Sequence, residues 1–165
     1  MYPPRFRYEA PRSLDEAIAL LQAGGGEAKV LAGGQSLVPL LKLRFAKPEL
    51  LVDINNLPGL DYHRVDADGT LRIGALCRHV ALERSTILPT RSPTMAAAAP
   101  LVADPIVRTR GTLVGSLCHA DPQGDWAAVV TALGGSIVAQ GPQGRRTIPV
   151  AEFVTGPFQN ALAYD

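Results

Sequence analysis

Hydrophobic and polar positions at the start of the chain predict two helices and two short strands. The segment SLDEAIALLQAGGG has Ser13 and Glu16 at the spacing of a capping box, apolar residues at helical intervals and a glycine stop from Gly24. The apolar runs AKVLA and ELLVDI predict strands, and LVPLLKLRF between them predicts a short helix with Pro39 in its first turn. Two strands joined through a helix favour a small parallel sheet, so residues 1–56 are predicted to form a βαβ subdomain.

Alternating apolar and polar residues replace the helical pattern after the segment NNLPG. The segment YHRVDADGTLRIGAL has two alternating runs around Asp68-Gly69, and SIVAQGPQGRRTIPV repeats this arrangement around residues 141–144. Turns of this composition between alternating runs predict β-hairpins. We therefore predict a second subdomain over residues 57–165, made mainly of antiparallel sheet with helices, and a boundary near residues 55–59.

Helices are predicted between the two hairpins. Residues 78–84 form one, and the alanine-rich segment SPTMAAAAPLVA forms another that Pro100 should end or kink, because proline lacks a backbone donor. The segment DWAAVVTAL predicts a third helix, from an N-cap at Asp125 to a stop at Gly134. A parallel unit followed by antiparallel hairpins and helices indicates the α+β class.

The composition excludes several classes of protein. With 165 residues, of which 47% are hydrophobic, the chain can bury a core and is predicted to be globular. The 16 basic residues are balanced by 15 acidic ones without a basic run, so charge gives no reason to expect a nucleic acid or an anionic membrane as partner. No apolar stretch reaches the roughly 20 residues of a membrane span, and the start MYPPRFRYEAPR lacks a signal-peptide core, so we expect a cytoplasmic protein.

The cysteines and histidines do not indicate a metal site. Cys77 and Cys118 are far apart and neither belongs to a CxxC motif, so no iron–sulfur cluster or structural zinc is predicted in this chain. Cys118 is interpreted as a small packing residue. His63 and His79 are interpreted as surface or capping residues.

Two glycine-bearing segments are the strongest candidates for a binding site. In KVLAGGQSLVP, Gly33 and Gly34 separate a predicted strand from Gln35, Ser36 and a predicted helix. In RTRGTLVGSLCHADPQGDW, small and hydroxyl residues precede the helix predicted from Asp125. Consecutive backbone N–H groups in a glycine loop form an anion nest, and a helix N-terminus adds partial positive charge. Two such loops predict that one anionic ligand is held between them.

Together, these two motifs resemble a known family. AGGQSLVP with DPIVRTRGTLVGSLCHADPQGD is similar to the FAD-binding subunit of the molybdenum hydroxylases, the group of xanthine dehydrogenase and carbon monoxide dehydrogenase, and the resemblance extends from FRYEAPRSLDEAIALL through VAEFVTGPFQNALA. It implies an α+β fold of the PCMH and vanillyl-alcohol-oxidase type, with two subdomains and an FAD pyrophosphate held by the backbone of both loops. That role requires no acid, base or nucleophile, so we predict no catalytic side chain and no metal ligand.

The resemblance also implies which residues contact FAD. The first family loop corresponds to residues 31–38 and the second to residues 112–116. An apolar residue before the second loop and an aspartate after it complete the set. The implied contacts are Leu31, Ala32, Gly33, Gly34, Gln35, Ser36, Leu37, Val38, Val102, Thr112, Leu113, Val114, Gly115, Ser116 and Asp125.

Two departures from the family are expected to weaken FAD binding. The family has threonine, isoleucine or valine, two glycines and asparagine in the second loop, and Val114 replaces the first of those glycines. Because a β-branched residue is costly at a positive φ, we expect Val114 to strain the loop and crowd a phosphate. Family subunits also continue beyond the final residues ALAYD, so we expect the chain to lack a C-terminal domain and to hold FAD poorly by itself.

The resemblance implies an electron-transfer function within a larger enzyme. The implied partners are a large subunit with the molybdenum cofactor and a small subunit with two [2Fe-2S] clusters, assembled as a dimer of heterotrimers. FAD in this chain would pass electrons from the clusters to an external acceptor. Two other interpretations stay open, a stand-alone flavin oxidoreductase of the same fold and a non-catalytic remnant or interaction scaffold that no longer holds FAD. The substrate would be bound by another polypeptide, so this sequence does not identify it.

Overall fold

A three-stranded parallel sheet organises the first part of the chain. The computed structural model describes residues 2–164. Its first elements are β1 (Arg7–Glu9), α1 (Leu14–Gly24), a 3-10 turn (Gly25–Glu27), β2 (Ala28–Leu31), α2 (Leu37–Leu43) and β3 (Leu50–Asp53). The strand order is β1-β3-β2, so β3 pairs with both neighbours. The predicted strand–helix–strand unit is therefore confirmed as β2, α2 and β3.

The first helix begins as its sequence predicts. The Ser13 hydroxyl accepts a hydrogen bond from the N–H of Glu16, and the Glu16 carboxylate accepts one from the N–H of Arg12. The helix packs through a small apolar cluster of the first part of the chain, Ala17, Ala28, Leu50, Val52 and Leu57. Strand β1 was not predicted, because its polar residues bury little surface and it is held by backbone pairing with β3.

Helices and three two-stranded antiparallel sheets make up the rest of the chain. The elements are β4 (His63–Val65), β5 (Leu71–Ile73), α3 (His79–Glu83), α4 (Leu88–Arg91), α5 (Pro93–Ala98), a 3-10 turn (Ala99–Leu101), α6 (Pro105–Arg108), α7 (Leu113–His119), α8 (Asp125–Ala132), β6 (Ser136–Gly141), β7 (Gly144–Pro149), α9 (Val150–Phe153), β8 (Val154–Gly156) and β9 (Gln159–Asn160). Both predicted hairpins are confirmed as β4-β5 and β6-β7. The α-helix containing Met95 ends just before Pro100, as predicted.

A second, larger apolar cluster forms the core of this part. Trp126 and Phe153 are fully buried in it, together with leucines from α3, α4 and α7. The combination of a parallel sheet, antiparallel hairpins and helices confirms the α+β class. The division into subdomains at residues 56 and 57 stays a prediction.

Two details of the second glycine motif differ from the prediction. The residues from Leu113 to His119 form a helix, so most of the motif is not a loop. The last predicted helix is capped by Gly124, whose backbone is extended, and Asp125 is already its first helical residue. The predicted N-cap was therefore wrong by one position, although a carboxylate in the first turn still interacts favourably with the helix dipole.

Candidate functional site

The first glycine motif lies at the carboxyl end of β2, an edge of parallel sheets where ligands commonly bind. The strand ends at Leu31, and α2 begins six residues later at Leu37. Gly34 has a φ of +76°, a left-handed conformation that disfavours residues with a side chain, and its carbonyl accepts a hydrogen bond from the N–H of Val38. Ser36 precedes the helix at the position where serine often caps, which predicts a capping role, but its hydroxyl makes no capping hydrogen bond among the described residues, so that prediction is wrong.

Backbone N–H groups of this loop are free to bind a ligand. Within residues 2–164, the N–H groups of Gly33, Gly34, Gln35 and Ser36 donate to no protein acceptor. Gly33 is buried, and most buried backbone donors in folded proteins are paired, so its N–H is suited to a ligand. A run of donors in a glycine loop can form a concave site for an anion.

The second motif is a tightly capped helix start. Thr112 is the N-cap of α7, and its hydroxyl accepts a hydrogen bond from the N–H of Gly115 at 3.0 Å. A Cβ on Gly115 would lie 2.6 Å from that hydroxyl oxygen, so a side chain here would displace the Thr112 hydroxyl from its present position. Val114 lies inside the helix and is absent from the residues with positive φ, so the expected strain at Val114 is wrong. The helix supplies a backbone conformation that valine adopts readily.

The two glycine motifs are in direct contact. A Cβ on Gly33 would lie 2.2 Å from the carbonyl oxygen of Arg110 and 2.9 Å from the Cα of Gly111. Real Cβ atoms do not approach other atoms so closely, so any side chain at Gly33 would push the motifs apart. The structure therefore brings together the two segments that the sequence analysis selected, although they are far apart along the chain.

Side chains also join the two motifs. The Arg78 guanidinium donates to the carbonyl of Arg110 at 2.8 Å through Nη1 and to the Asn55 side-chain oxygen through Nη2. The Asn55 amide nitrogen in turn donates to the carbonyl of Ala32 at 2.9 Å. A chain of hydrogen bonds therefore runs from the residue before Gly33 to the residue before Gly111. Neither Asn55 nor Arg78 was selected from the sequence.

A half-buried carboxylate holds Asn55 in place. Asp53 Oδ1 accepts hydrogen bonds from the Asn55 backbone at 2.9 Å and from its side chain at 2.6 Å, and Oδ2 accepts one from the Tyr8 hydroxyl at 2.6 Å. Burial acts to raise the pKa of Asp53, but the hydrogen bonds from Tyr8 and Asn55, with the charge of Arg110, leave that pKa below its ordinary value. Asp53 is therefore ionised at neutral pH and fixes the orientation of the Asn55 amide.

A buried histidine packs against the second motif. His79 is 5% exposed, and its Nδ1 accepts a hydrogen bond from the indole N–H of Trp126 at 3.0 Å. A Cβ on Gly111 would lie 2.7 Å from the His79 ring, so this glycine also has no room for a side chain. Burial lowers the pKa of His79 to about 4, and the charge of Arg108 acts in the same direction. The interpretation of His79 as a surface or capping residue is wrong.

The other predicted contacts lie around this centre. Ser116 is half-buried in α7, and a Cβ on Gly124 would lie 3.5 Å from its hydroxyl oxygen, which places the start of α8 and the exposed Asp125 beside it. Val102 is buried in the same apolar cluster as Leu113. The remaining positions of the first motif, Leu31, Ala32, Leu37 and Val38, flank the donor loop. That these residues contact FAD stays a prediction.

The two cysteines have no features of a reactive site. Burial raises the pKa of the Cys77 thiol to about 12 and that of Cys118 to about 11, so both are protonated at neutral pH. Cys118 packs against the larger core, in agreement with its interpretation as a packing residue.

Comparison with known proteins identifies the family. A sequence profile of the family described as "FAD binding domain in molybdopterin dehydrogenase" matches residues 4–165, and the chain belongs to this family. The chain is 47% identical to the carbon monoxide dehydrogenase medium chain of Hydrogenophaga pseudoflava over 162 residues, 98% of this chain and 56% of that protein. It is 44% identical to the 6-hydroxypseudooxynicotine dehydrogenase complex subunit alpha of Paenarthrobacter nicotinovorans, over 98% of this chain and 54% of that protein.

Solved structures show the same fold. A carbon monoxide dehydrogenase structure from Hydrogenophaga pseudoflava matches 99% of this chain and 57% of its own with a TM-score of 0.96 at 47% identity. Quinoline 2-oxidoreductase from Pseudomonas putida 86 matches with a TM-score of 0.94 at 34% identity, over 99% of this chain and 57% of its own. The resemblance to the molybdenum hydroxylase FAD subunits, the α+β fold and FAD as the family's cofactor are thus confirmed. The chain spans little more than half the length of these relatives.

No helix within residues 2–164 combines the length and apolar character needed to cross a membrane.

Proposed function

We propose that this chain forms the FAD-binding part of a subunit in a multi-subunit molybdenum-dependent dehydrogenase. The observation that carries the proposal is the run of four N–H groups at residues 33–36 without a protein acceptor in the described part of the chain, in a loop whose Gly33 packs against the second glycine motif. These donors suit the pyrophosphate of FAD, because a dinucleotide has two adjacent phosphates that two neighbouring segments can hold together.

The residues of both motifs would bind and orient the cofactor. Gly33, Gly34, Gln35 and Ser36 would donate backbone hydrogen bonds to one phosphate, and the capped segment 112–116 would lie against the other. Leu31, Ala32, Leu37, Val38, Val102 and Asp125 complete the proposed contacts. When bound, FAD supplies the chemistry of electron transfer between iron–sulfur clusters and an external acceptor. The protein contributes position and electrostatics, and no side chain acts as an acid or base.

The proposed partners follow from the kinds of proteins that are similar to this chain. Relatives are named as medium chains or subunits of dehydrogenase complexes. We propose a large subunit with the molybdenum cofactor and a small subunit with [2Fe-2S] clusters as partners, assembled as a dimer of heterotrimers in the cytoplasm. The two subdomains, residues 1–56 and 57–165, would each provide one glycine motif. Co-purification from the source cells, followed by metal analysis, tests this assembly.

Discrimination between FAD and FMN tests the cofactor assignment. Flavin fluorescence titrations of the purified protein should give tighter binding for FAD than for FMN, because FMN has a single phosphate. ADP, which has a pyrophosphate and no flavin ring, should compete with FAD. Equal affinity for FAD and FMN, or no competition by ADP, would contradict the proposed role of the two glycine motifs.

The alternative of a remnant that has lost its cofactor is weakened by the structure. One argument for it was strain at Val114, and that residue lies in an ordinary helical conformation. A stand-alone flavin oxidoreductase would differ from the proposed function in one measurable respect. It would turn over an organic substrate without partner subunits, whereas the proposed subunit would show no such turnover.

A further inference from the structure

Arg78 contacts both glycine motifs through one side chain. Its Nη1 donates to the Arg110 carbonyl at 2.8 Å, and its Nη2 donates to Asn55, whose amide donates to the Ala32 carbonyl at 2.9 Å. Each end of this chain of hydrogen bonds is the residue directly before a glycine of one motif. The contacts therefore define the separation between the two glycine segments.

The backbone around Arg78 is fixed to the second motif as well. Arg78 and Thr112 form an antiparallel β-bridge, and the N–H of His79 donates to the carbonyl of Gly111 at 2.9 Å. At the other end, Asp53 accepts two hydrogen bonds from Asn55. Further backbone and side-chain hydrogen bonds thus hold both Arg78 and Asn55, and the guanidinium joins the two segments.

The chemistry of the pair requires arginine at this position. A guanidinium is planar and presents several N–H donors in a fixed fork, so it can bind two acceptors on different segments at once. A lysine ammonium can donate to one of these two acceptors, but it does not present donors in the fixed planar arrangement of a guanidinium. Within residues 2–164 no other donor bonds the Asn55 side-chain oxygen, so loss of the guanidinium breaks this chain of hydrogen bonds between the two motifs.

We propose that Arg78, together with Asn55, is a positioning residue that holds the two glycine motifs at the spacing one pyrophosphate requires. The inference rests on the proposed function, because it assigns the clamp to the same FAD site. The side chain itself stays bonded to protein acceptors and does not touch the phosphates. A site built from two segments binds a ligand more tightly when their relative position is fixed before binding.

Titration of single variants with FAD and FMN tests this role. Arg78→Ala should raise the dissociation constant for FAD about ten- to a hundredfold, the range for losing hydrogen bonds to a charged group. Binding of FMN, whose single phosphate needs one motif only, should change about threefold or less. Arg78→Lys should lie between wild type and Arg78→Ala. Arg72→Ala is the matched control, because Arg72 is an exposed arginine paired with Asp66 on the β4-β5 hairpin, and it should leave FAD binding unchanged.

A second variant keeps the test valid if Arg78→Ala does not fold. Asn55→Ala removes the other half of the clamp while leaving the arginine in place, and it should weaken FAD binding to a similar extent. The double variant should be no worse than either single variant, because both changes break one chain of hydrogen bonds. Losses that simply add, or an Asn55→Ala protein with wild-type affinity for FAD, would contradict the proposal.

Salt dependence separates positioning from direct phosphate binding. If Arg78 acts through the motifs, the loss of FAD affinity in Arg78→Ala should persist at high ionic strength, where attraction between the guanidinium charge and the phosphates is screened. A loss that disappears at high ionic strength would show that the guanidinium acts on the phosphates through its charge and would overturn the positioning role. If wild type binds FAD and Arg78→Ala binds it equally well, this inference alone is overturned. If wild type does not bind FAD, the proposed function is overturned, and this inference with it.

Discussion

Gly33 and Arg110 touch so closely that a single added carbon would separate them. The Cβ of any residue at position 33 would lie 2.2 Å from the Arg110 carbonyl oxygen. Residue 33 follows a parallel strand, and residue 110 precedes a helix in a different part of the fold. This contact makes one site from two motifs and explains why the chain has glycine there, independently of the backbone angle.

Gly33→Ala should therefore damage the site. The clash with the Arg110 carbonyl must displace one motif, so we expect FAD affinity to fall at least about tenfold and the free energy of unfolding to fall by about 1–3 kcal/mol, as for overpacked positions. Flavin titration and urea denaturation measure the two effects. Gly26→Ala is the control, because a Cβ there meets nothing within 4 Å and its φ is not positive. Equal behaviour of both variants would contradict the contact.

A bulky residue at Gly34 should abolish FAD binding for a different reason. Its φ of +76° is strained for any residue with a side chain, and a Cβ would also lie 3.1 Å from a Val38 methyl group. We expect Gly34→Leu to lose FAD binding, whereas His63→Ala should retain it. Gly69→Leu, at a φ of +83° in the β4-β5 turn with open space around it, controls for the backbone strain alone. Equal losses in Gly34→Leu and Gly69→Leu would show that the loop is not the site.

Val114→Gly should not improve FAD binding. The sequence led us to expect relief of strain, but Val114 is helical and packs against the larger core. Glycine there should therefore cost about 0.5 kcal/mol of stability through its lower helix propensity, in addition to the lost packing. Val114→Ala loses packing only, because alanine has a higher helix propensity than valine. Tighter FAD binding by the glycine variant would mean that the bound segment adopts a loop conformation instead of the helix.

Acid should destabilise the protein through His79. The pKa of this histidine is about 4 in the folded state and 6.5 in the reference state, so between these values the unfolded chain binds more protons. The stabilisation is fully present above pH 6.5 and is lost as pH falls towards 4, by at most about 3 kcal/mol. Trp126 is the chain's single tryptophan and contacts this histidine, so its fluorescence is a suitable probe of unfolding.

The matched variant for this titration is His79→Gln. A glutamine oxygen can still accept the hydrogen bond from the indole of Trp126 but does not titrate. We expect its free energy of unfolding to depend less on pH between 4 and 6.5 than that of wild type. An identical pH dependence in both proteins would mean that His79 takes up its proton over the same pH range in the folded and unfolded states, against its buried position.

Local sequence signals predicted the elements well and their contacts poorly. The capping box at Ser13, both hairpins and the strand–helix–strand unit depend on residues close together in the chain, and all were found. The helix from Leu113 was missed because its glycine and hydroxyl residues are typical of loops, and only the Thr112 cap and the packing of Leu113 and Leu117 make it helical.

The clamp residues could not be found in the same way. Asn55 and Arg78 join segments that are separated by more than twenty residues, and nothing in their immediate neighbours distinguishes them from surface polar residues. A weak signal existed for Asn55, since it follows a predicted buried strand at the sheet edge where ligands commonly bind. His79 and Trp126 were misjudged or overlooked for the same reason, because their pairing across the core is a tertiary contact.

The central claim is that the backbone N–H groups of residues 33–36 bind the FAD pyrophosphate. At 17.5 kDa, the chain is small enough for amide NMR spectra, which report on each of these groups separately. Titration with FAD should move the amide resonances of residues 33–36 and 112–116 the most and protect those of residues 33–36 from hydrogen exchange, while FMN should affect fewer of them. Saturable FAD binding that leaves residues 33–36 unchanged would contradict the account.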